Sequence, residues 1–498
     1  MPDLTPRERM QIPRQKMPTQ NPIMRRENFN EVALGFDEDT AQLEAERCLQ
    51  CKRPTCMDGC PVGVLIPQFI ERLREGDMIG AVETMKERNS LAAICGRVCP
   101  QEVQCEQTCV LAKRGDPVAI GRLERFVGDY ELAHRTCPLL HAPPSGKRVA
   151  VVGSGPAGLT CAVELGREGH EVVIFESLHS PGGVLVYGIP EFRLPKRAVL
   201  SEINYAMECL GIEIRTDHVI GRTLMLEDLL AEFDVVFLGS GAGLPMFLRV
   251  PGINLNGVMS ANEFLTRVNL MKAYLFPRFD TPVKLGDRVA VVGAGNVAMD
   301  AARCAVRLQQ MRARRHGTEP GEVHIVYRRS AEEVPARAEE VHHAQEEGVI
   351  FDFLTNPVEI IGNAQSQVQE LRCVRMQLGE PDDSGRRRPI AIEGSEFDMD
   401  IDTVIIALGT NPNPLVFVGA KGLERSRWGT AEAAEDTLRT TMPRVWAGGD
   451  VVTGSATVVS AMGAGRVAAA DMHRFLAGEF SEAEWVRAEM PQVQTVEV

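Results

Sequence analysis

The sequence lacks the features that would direct it to a membrane or to nucleic acid. No apolar run approaches the length that spans a bilayer, and the opening stretch is polar and interrupted by prolines, unlike a signal peptide. Basic residues number 54 against 68 acidic ones, and the formal charge of −14 disfavours nucleic acid or an anionic membrane surface as partner. We therefore expect a soluble, cytoplasmic protein in a reducing compartment.

Low-complexity tracts are also absent, so we expect the chain to be globular. Its composition, 44% hydrophobic and 24% charged, is that of a globular protein. Because 498 residues are more than a single hydrophobic core usually organises, we expect about three domains. Of its 13 cysteines, eight lie between Cys48 and Cys109. Without a secretion signal, such crowding indicates metal or cluster ligation rather than disulfides.

The chain changes character after its first third. Residues 1–147 show helical periodicity and end in the linker HAPPSGK, whereas RVAVVGSGPAGLTCAVELGREGHEVVIFE (148–176) is a strand, a glycine turn, a helix and a strand. A second unit, RVAVVGAGNVAMDAARCAVRLQQM (288–311), opens in the same way. This repeat predicts an α/β fold in which two interleaved Rossmann-like dinucleotide-binding domains follow a helical, cysteine-rich domain. The expected divisions are 1–147 (helical), 148–244 (first nucleotide domain), 245–405 (second nucleotide domain), 406–480 (return to the first) and 481–498 (polar tail).

The first glycine fingerprint has the full context of a dinucleotide site. Gly153, Gly155 and Gly158 follow an apolar strand and open a helix, and Glu176 ends the next strand, where a carboxylate accepts a bond from a ribose hydroxyl. The first glycine allows the turn, the second the approach of a pyrophosphate, and the third close helix packing. The residues expected to bind this cofactor are Gly153, Gly155, Pro156, Ala157, Gly158, Glu176 and, in the following loop, Gly183.

The second fingerprint differs at the end of its second strand. Arg328 and Arg329 stand where an NAD site would place an acid, and an arginine there suits the 2′-phosphate of NADP. A solvated basic loop is the alternative. The residues expected at this site are Gly293, Gly295, Asn296, Val297, Arg328 and Arg329.

A glycine-rich segment near the end of the chain points to FAD in the first site. VWAGGDVVTGSATVVSAMGAGRVAAADMHRFL (445–476) predicts a strand, a turn containing Gly449 and Asp450, and a helix beginning near Thr457. Asp450 can bind a ribityl hydroxyl, and the helix start can face the flavin's pyrimidine edge. Residues 148–476 resemble the two-dinucleotide flavoproteins, which include thioredoxin and glutathione reductases. Those enzymes need a redox-active cysteine pair, and PGGVLVYGIPEFRLPK (181–196) has no cysteine, so the sequence argues against a disulfide reductase.

The cysteine-rich segment follows the pattern of a ferredoxin. CLQCKRPTCMDGCP and CGRVCPQEVQCEQTC contain close-spaced cysteines and a cysteine followed by proline. Two structural zinc sites are the alternative, because C-x2-C pairs also bind zinc. The C-x3-C-P spacing beside a flavoprotein favours two [4Fe–4S] clusters.

From about residue 27 to 476 the chain resembles the small subunit of NADPH-dependent glutamate synthase. It is also similar to the large subunit of NADH-dependent reduced ferredoxin:NADP+ oxidoreductase and to the N-terminal half of dihydropyrimidine dehydrogenase. The resemblance implies one cluster on Cys48, Cys51, Cys56 and Cys109, and another on Cys60, Cys99, Cys105 and Glu124. Cys95 in place of Glu124 is the alternative, since thiolate is the commoner ligand.

These observations predict an oxidoreductase that exchanges hydride with NADP(H) at FAD and passes electrons through two [4Fe–4S] clusters. No acid–base or nucleophile motif is apparent, so no catalytic side chain is expected. The expected partner is a second redox subunit: either the FMN- and amidotransferase-bearing large subunit of glutamate synthase or a small FAD/[2Fe–2S] subunit of a bifurcating enzyme, with ferredoxin as a further candidate. A non-catalytic, cluster-bearing scaffold is the alternative from another class.

Overall fold

The computed structural model describes residues 4–135, 139–382 and 385–485 of this chain. The predicted polar tail lies outside the described residues from position 486 onward. Within the described ranges, every helix is too short or too polar to cross a bilayer.

The N-terminal segment is helical, and its cysteines lie mainly in the loops between helices. Asp37 and Asp77 cap two of these helices by accepting bonds from the backbone N–H groups of Thr40 and Gly80. The helices are α1 (Pro6–Arg9), α2 (Pro22–Arg25), α3 (Glu38–Ala45), α4 (Thr55–Asp58), α5 (Ile66–Arg74), α6 (Met78–Lys86), α7 (Ala92–Val98) and α8 (Ile120–His134), with 3-10 turns at Gln101–Val103 and Val110–Lys113.

Helices α7 and α8 pack with their backbones in contact. A Cβ added at Gly96 would overlap the backbone of Arg125, and one added at Gly128 would overlap the backbone of Ala93. Glycine is therefore required at both crossing points. This contact fixes the cysteine-bearing helix α7 against α8, which carries Glu124.

The first parallel sheet is assembled from two distant stretches of the chain. Its strand order is β16-β4-β1-β2-β3, so the strand nearest the C-terminus pairs beside β4 at one edge. The elements are β1 (Arg148–Val152), α9 (Pro156–Arg167), β2 (Glu171–Phe175), α10 (Val184–Tyr187), α11 (Lys196–Leu210), β3 (Glu213–Arg215), α12 (Leu226–Glu232), β4 (Val235–Leu238), β16 (Val445–Ala447), α16 (Asp450–Thr453), α17 (Val458–Leu476) and α18 (Glu482–Trp485).

A second five-stranded parallel sheet, in the order β6-β14-β7-β8-β9, lies between those stretches in the sequence. An antiparallel sheet of β10 to β13 follows β9, and the short strands β5 and β15 pair with each other where the chain passes between the two parallel sheets. The elements are β5 (Leu244–Pro245), β6 (Val258–Ser260), α13 (Ala261–Asn269), β7 (Arg288–Val292), α14 (Asn296–His316), β8 (Glu322–Tyr327), α15 (Ala338–Glu346), β9 (Ile350–Phe353), β10 (Thr355–Gly362), β11 (Val368–Pro381), β12 (Arg387–Ala391), β13 (Phe397–Asp400), β14 (Thr403–Ile406) and β15 (Thr410–Asn411), with 3-10 turns at Ala273–Leu275, Ala331–Glu333 and Pro414–Phe417.

One apolar core joins the helical segment to the first parallel sheet. It runs from Phe69 and Ile94 in the N-terminal helices through Leu165 of α9 to Met462 of α17. Separate clusters fill the two faces of the second sheet. The predicted fold class, two Rossmann-like units after a helical segment, is confirmed, while the exact domain divisions stay a prediction.

Candidate functional site

The first glycine turn leaves one position open to a ligand. Gly153 has a φ of +95°, and a Cβ there would lie 2.5 Å from the carbonyl oxygen of Gly239, while a Cβ at Gly158 would overlap the Gly153 carbonyl. At Gly155, which caps α9, no atom lies within 4 Å of the Cβ position. Packing therefore requires the outer glycines, and the middle one exposes backbone at a helix N-terminus, which suits a pyrophosphate.

Glu176 is held rigidly beside this turn. Its side chain is buried and accepts bonds from the backbone N–H groups of Ser154 (2.9 Å) and Leu178 (2.8 Å), and from the hydroxyls of Ser154 and Ser177. The Ser154 hydroxyl in turn accepts from the N–H of Gly182 at 2.9 Å. The carboxylate is thus fixed at the carboxyl end of β2, where the sequence predicted it.

Residues from two distant segments meet this turn. Gly183 has a φ of +52°, and its Cβ would lie 3.0 Å from the Cα of Gly155. Gly449 has a φ of +76°, and its Cβ would lie 3.0 Å from the Cβ of Ala157. The next residue, Asp450, opens α16. The structure therefore brings the predicted residues of the first site together.

The side chains of Asp450 and Thr457, at the starts of α16 and α17, are each held by a hydrogen bond from a backbone N–H group. One carboxylate oxygen of Asp450 accepts from the N–H of Ala456 at 3.2 Å, and burial raises the pKa of this carboxyl. Thr457 caps α17 by accepting from the N–H of Ser460 at 3.2 Å. The 19-residue helix α17 thus begins shortly after the loop that follows Asp450, and the approach of its start to the flavin's pyrimidine edge stays a prediction.

Tyr187 is influenced by the two carboxylates of this site, and sequence reasoning did not single it out. It ends α10, and its pKa is raised to about 12, first by burial and then by the charges of Asp450 and Glu176. Both carboxylates therefore lie within electrostatic reach of the phenol. The only signal in the sequence was its place four residues after the PGG turn (181–183).

The second glycine turn repeats the geometry of the first. Gly293 has a φ of +129°, and its Cβ would overlap the carbonyl of Ala407, whereas the Cβ position of Gly295 is open. Helix α14 begins at Asn296, whose side-chain oxygen accepts from the N–H of Arg337 at 3.0 Å. Val297 is 43% exposed. The turn is thus free to receive a phosphate.

The two arginines after β8 have different environments. Arg328 is exposed, and its side chain makes no hydrogen bond or ion pair with any described residue. Arg329 is buried and donates to the carbonyl of Arg387 at 2.8 Å and to the carboxylate of Asp382 at 2.5 Å. Arg328 is therefore free to reach a 2′-phosphate, whereas the guanidinium of Arg329 is already bound to the β11–β12 hairpin.

Four cysteines surround one cavity in the N-terminal segment. Burial, together with the neighbouring thiols of the same set, raises the pKa of Cys48 to about 11 and that of Cys56 to about 12. Thr55 donates to the carbonyl of Thr108 at 2.5 Å and so ties the two cysteine loops together. The cavity is lined by Cys48, Cys51, Cys56 and Cys109 and walled by apolar residues such as Leu49, Ile66, Ile70 and Leu111.

The predicted second set also converges. Burial is the main cause of the raised pKa of Cys60 and Cys105, and the Glu124 carboxyl is the next for both. Cys99 is buried as well. Glu124 is buried, accepts from the Asn89 amide at 2.7 Å, and has a pKa raised by burial to about 8.

Cys95 lies beside this second set. Its thiol is 3.8 Å from the side-chain oxygen of Asn89 and 3.4 Å from the sulfur of Met462 on α17. Among the described residues, no three His, Cys, Asp or Glu side chains meet closely enough to hold a single metal ion. The thiols of the first set surround a cavity rather than one point.

Helix α17 connects the two sites. A Cβ at Gly465 would overlap the carbonyl of Ala157 in the nucleotide turn, and one at Gly463 would lie 2.8 Å from the carbonyl oxygen of Pro61, next to Cys60. One helix therefore touches both the start of α9 and the cysteine-bearing loop.

Two family models match the chain. Residues 25–136 match dihydropyrimidine dehydrogenase domain II, 4Fe-4S cluster, and residues 147–465 match pyridine nucleotide-disulphide oxidoreductase.

Among individual proteins, the chain is 36% identical to the glutamate synthase [NADPH] small chain of Escherichia coli K12, over 91% of this chain and 95% of that one. It is 37% identical to the NADP(+)-dependent formate dehydrogenase subunit beta of Moorella thermoacetica, over 84% of this chain and 60% of that one. Mycobacterium tuberculosis FprA in complex with NADPH has a similar fold, with a TM-score of 0.56 and 21% identity over 70% of this chain and 91% of that one.

Proposed function

The chain belongs to the family of the glutamate synthase [NADPH] small chain, and on that premise we propose that it passes electrons from NADPH through two [4Fe–4S] clusters to a second redox subunit. It is an FAD- and NADP-dependent iron–sulfur oxidoreductase of the glutamate synthase small-subunit type. The non-catalytic scaffold and the two zinc sites are set aside, because the matching families are an oxidoreductase and a [4Fe–4S] domain. The observation that carries the proposal is α17, which contacts both the nucleotide turn and the Cys60–Pro61 loop.

The first site fits FAD because it has open backbone where a pyrophosphate would bind and carboxylates that can accept hydrogen bonds from hydroxyl groups. The open backbone at Gly155 would receive the pyrophosphate at the start of α9, and Glu176 would bind the ribose hydroxyls. A ribose hydroxyl would replace the longest of the bonds to Glu176, the one from Ser177 at 3.2 Å. Asp450 would accept from the ribityl chain. The residues assigned here are Gly153, Gly155, Pro156, Ala157, Gly158, Glu176, Gly183, Gly449, Asp450 and Thr457.

The second site fits NADP(H) at the open Gly295 turn. Its assigned residues are Gly293, Gly295, Asn296, Val297 and Arg328. Arg329 supports the loop by holding the β11–β12 hairpin. FAD, when bound, supplies the conversion between a two-electron hydride and single electrons.

The cysteine cavity fits a cluster because four thiols line its apolar wall. Cys48, Cys51, Cys56 and Cys109 would hold the first cluster, and Cys60, Cys99, Cys105 and Glu124 the second. The loop that carries Cys60 of the second set approaches α17, since the carbonyl oxygen of Pro61 lies close to Gly463. The second set would thus be nearer to the flavin and the first set nearer to the surface.

An anaerobic NADPH titration tests the proposal. The flavin band should bleach, and cluster signals should appear in electron paramagnetic resonance spectra. In Gly295→Ala the flavin should still bind but bleach only at higher NADPH concentration, because the added Cβ enters open space that the phosphate needs. Gly243→Ala, exposed and equally open, is the control and should behave as wild type. No bleaching of the native protein with NADPH or NADH would contradict the proposal.

The partner is identified by an anaerobic pull-down of the native chain. The relatives named as a glutamate synthase small chain and a formate dehydrogenase subunit support a second subunit. A large amidotransferase-bearing partner would make this chain the reducing subunit of glutamate synthase. A small FAD/[2Fe–2S] partner would make it half of a ferredoxin-linked transhydrogenase.

A further inference from the structure

The first cysteine set opens to the surface of the molecule. Cys51 and Cys109 are only partly buried, whereas Cys99 and Cys105 of the second set are buried. Val110, directly after Cys109, is 37% exposed and lines the same cavity. Electrons that leave this chain through the first set would therefore cross the surface around this opening.

Four basic side chains lie within three residues, along the chain, of residues that line this cavity. Lys52 and Arg53 follow Cys51, and Lys113 and Arg114 lie at the end of the 3-10 turn that begins right after Cys109. All four are exposed, and none forms an ion pair or a side-chain hydrogen bond with any residue in the described part of the chain. We call this surface, formed by Lys52, Arg53, Val110, Lys113 and Arg114, the basic mouth.

Acidic side chains do little to neutralise the basic mouth. In the two segments 48–58 and 109–116 the only acids are Asp58 and Asp116. The nearby Glu106 is buried and paired with Arg14 at 2.7 Å. Along these two segments, four cations therefore face two acids.

The basic mouth contrasts with the rest of the protein. The chain carries a formal charge of −14, and its buried arginines are paired, as Arg97 is with Glu31 and Asp129. Four unpaired cations of one sign repel each other and contribute nothing to the stability of the fold. Their clustering at the exposed cysteine set is explained by a ligand of opposite charge.

We propose that the basic mouth docks the acidic surface of a one-electron redox protein or subunit. This inference rests on the proposed function and adds the chemistry of the partner. Opposite charges steer the encounter and raise the association rate, and the exposed Val110 in the cavity wall offers an apolar contact of the kind found in interface cores. Docking there would place the acceptor beside Cys51 and Cys109.

Two soluble cytochromes of opposite charge test the proposal: the acidic haem domain of cytochrome b5 and the basic cytochrome c. In each assay one NADPH is oxidised to NADP+ and H+, and two ferric haems each gain one electron. The native holoenzyme should reduce the acidic acceptor faster at low ionic strength, and salt should slow that reaction. In Lys52→Glu/Lys113→Glu the rate with the acidic acceptor should fall at least about tenfold at low salt, and the preference should reverse.

The matched control is Lys421→Glu/Arg278→Glu, which changes the net charge equally on exposed residues of the nucleotide-binding part. It should keep the native preference. An equal effect in both variants, or a native preference for the basic acceptor, would overturn the docking proposal. A self-associated protein that dissociates in the Lys52→Glu/Lys113→Glu variant would also overturn it, because the occupant would be a second copy of this chain.

The same experiment separates the two proposals. If NADPH fails to bleach the flavin of the native protein, the proposed function is wrong. If the flavin bleaches normally in both variants and the acceptors are not distinguished, only the docking proposal is wrong.

Discussion

Asn89 contacts both residues that compete for the fourth position of the second cluster. Its amide donates to Glu124 at 2.7 Å, and its oxygen lies 3.8 Å from the thiol of Cys95. Glu124 lies on α8 and is the acid next to Cys60 and Cys105, whereas Cys95 also contacts Met462 on α17. Both side chains therefore border the second set, since Cys60 is near Glu124 and Cys99 contacts the thiol of Cys95, and Glu124 as the fourth ligand stays a prediction.

Replacing Glu124 by alanine should alter one cluster and spare the other. Its removal takes away the proposed oxygen ligand, so the reduction potential of one cluster should shift or its iron be lost, measured by iron content and redox-poised electron paramagnetic resonance. Cys95→Ala is the matched control and should retain both clusters. If Cys95→Ala loses a cluster and Glu124→Ala does not, the fourth ligand is the thiolate.

Replacing Arg328 by alanine should weaken the preference for NADPH over NADH. Because Arg328 is exposed and unpaired, its loss should raise the KM for NADPH about tenfold or more and leave the KM for NADH nearly unchanged, as expected for a charge-assisted phosphate contact. Arg329→Ala should instead lower the melting temperature, because Asp382 and the Arg387 carbonyl lose their donor. Equal effects of Arg328→Ala on both nucleotides would show that Arg328 does not contact the phosphate.

At the scale of elements, short sequence patterns predicted the turns and helices that neighbouring residues form. The glycine turns at Gly153 and Gly293 were predictable because strand, turn and helix follow one another directly in the chain. The interleaving of the two Rossmann-like units was also predicted. It is confirmed, because β16, from near the C-terminus, pairs with β4 of the first sheet.

Other contacts had no local signal. Gly96 permits the contact between α7 and α8, yet a glycine inside a helix does not reveal which backbone will cross it. Asp382, which binds Arg329, lies 53 residues further along the chain. Because the sequence does not reveal this ion pair, both arginines were predicted to bind the phosphate. Tyr187 was missed because the charges that identify it, Glu176 and Asp450, come from separate segments.

At the scale of the whole molecule, one buried carboxylate joins the N-terminal segment to the second nucleotide unit. Glu347 accepts from Arg25 at 2.7 Å, from Arg303 at 2.8 and 2.9 Å and from Arg307 at 2.6 Å. All four side chains are almost completely buried. Three guanidinium groups thus share this acid, and two of them have a second acidic partner: Arg25 also binds Glu346, and Arg303 also binds Glu340.

Replacing Glu347 by glutamine should destabilise the protein by about 3–5 kcal/mol at pH 7, because three buried cations lose the negative charge that they share. Burial alone would raise the pKa of Glu347, but Arg303 and Arg307 hold it well below its usual range. A carboxyl with a depressed folded pKa stabilises above its unfolded pKa and loses that contribution as pH falls through the folded value. The difference between wild type and variant should therefore shrink below about pH 4.5.

Thermal unfolding followed by circular dichroism from pH 7 to pH 3 measures this difference. Glu346→Gln is the matched control, because Glu346 also binds Arg25 at 2.7 Å but is 32% exposed. It should cost less than about 1 kcal/mol. A constant difference between wild type and Glu347→Gln across this range would contradict the assignment of the charge.

Helix α17 has a consequence for how the protein is made. The loop of Cys60 and Pro61 leaves the ribosome about 400 residues before the glycine that packs against it, Gly463. At roughly 5–20 residues per second, the wait lasts on the order of 20–80 seconds. During that time the cysteine loop is accessible from the face that α17 later covers, and the edge strand β16 of the first sheet does not yet exist. The loop that carries Cys60 is therefore open during translation on a face that α17 covers once the first parallel sheet is complete.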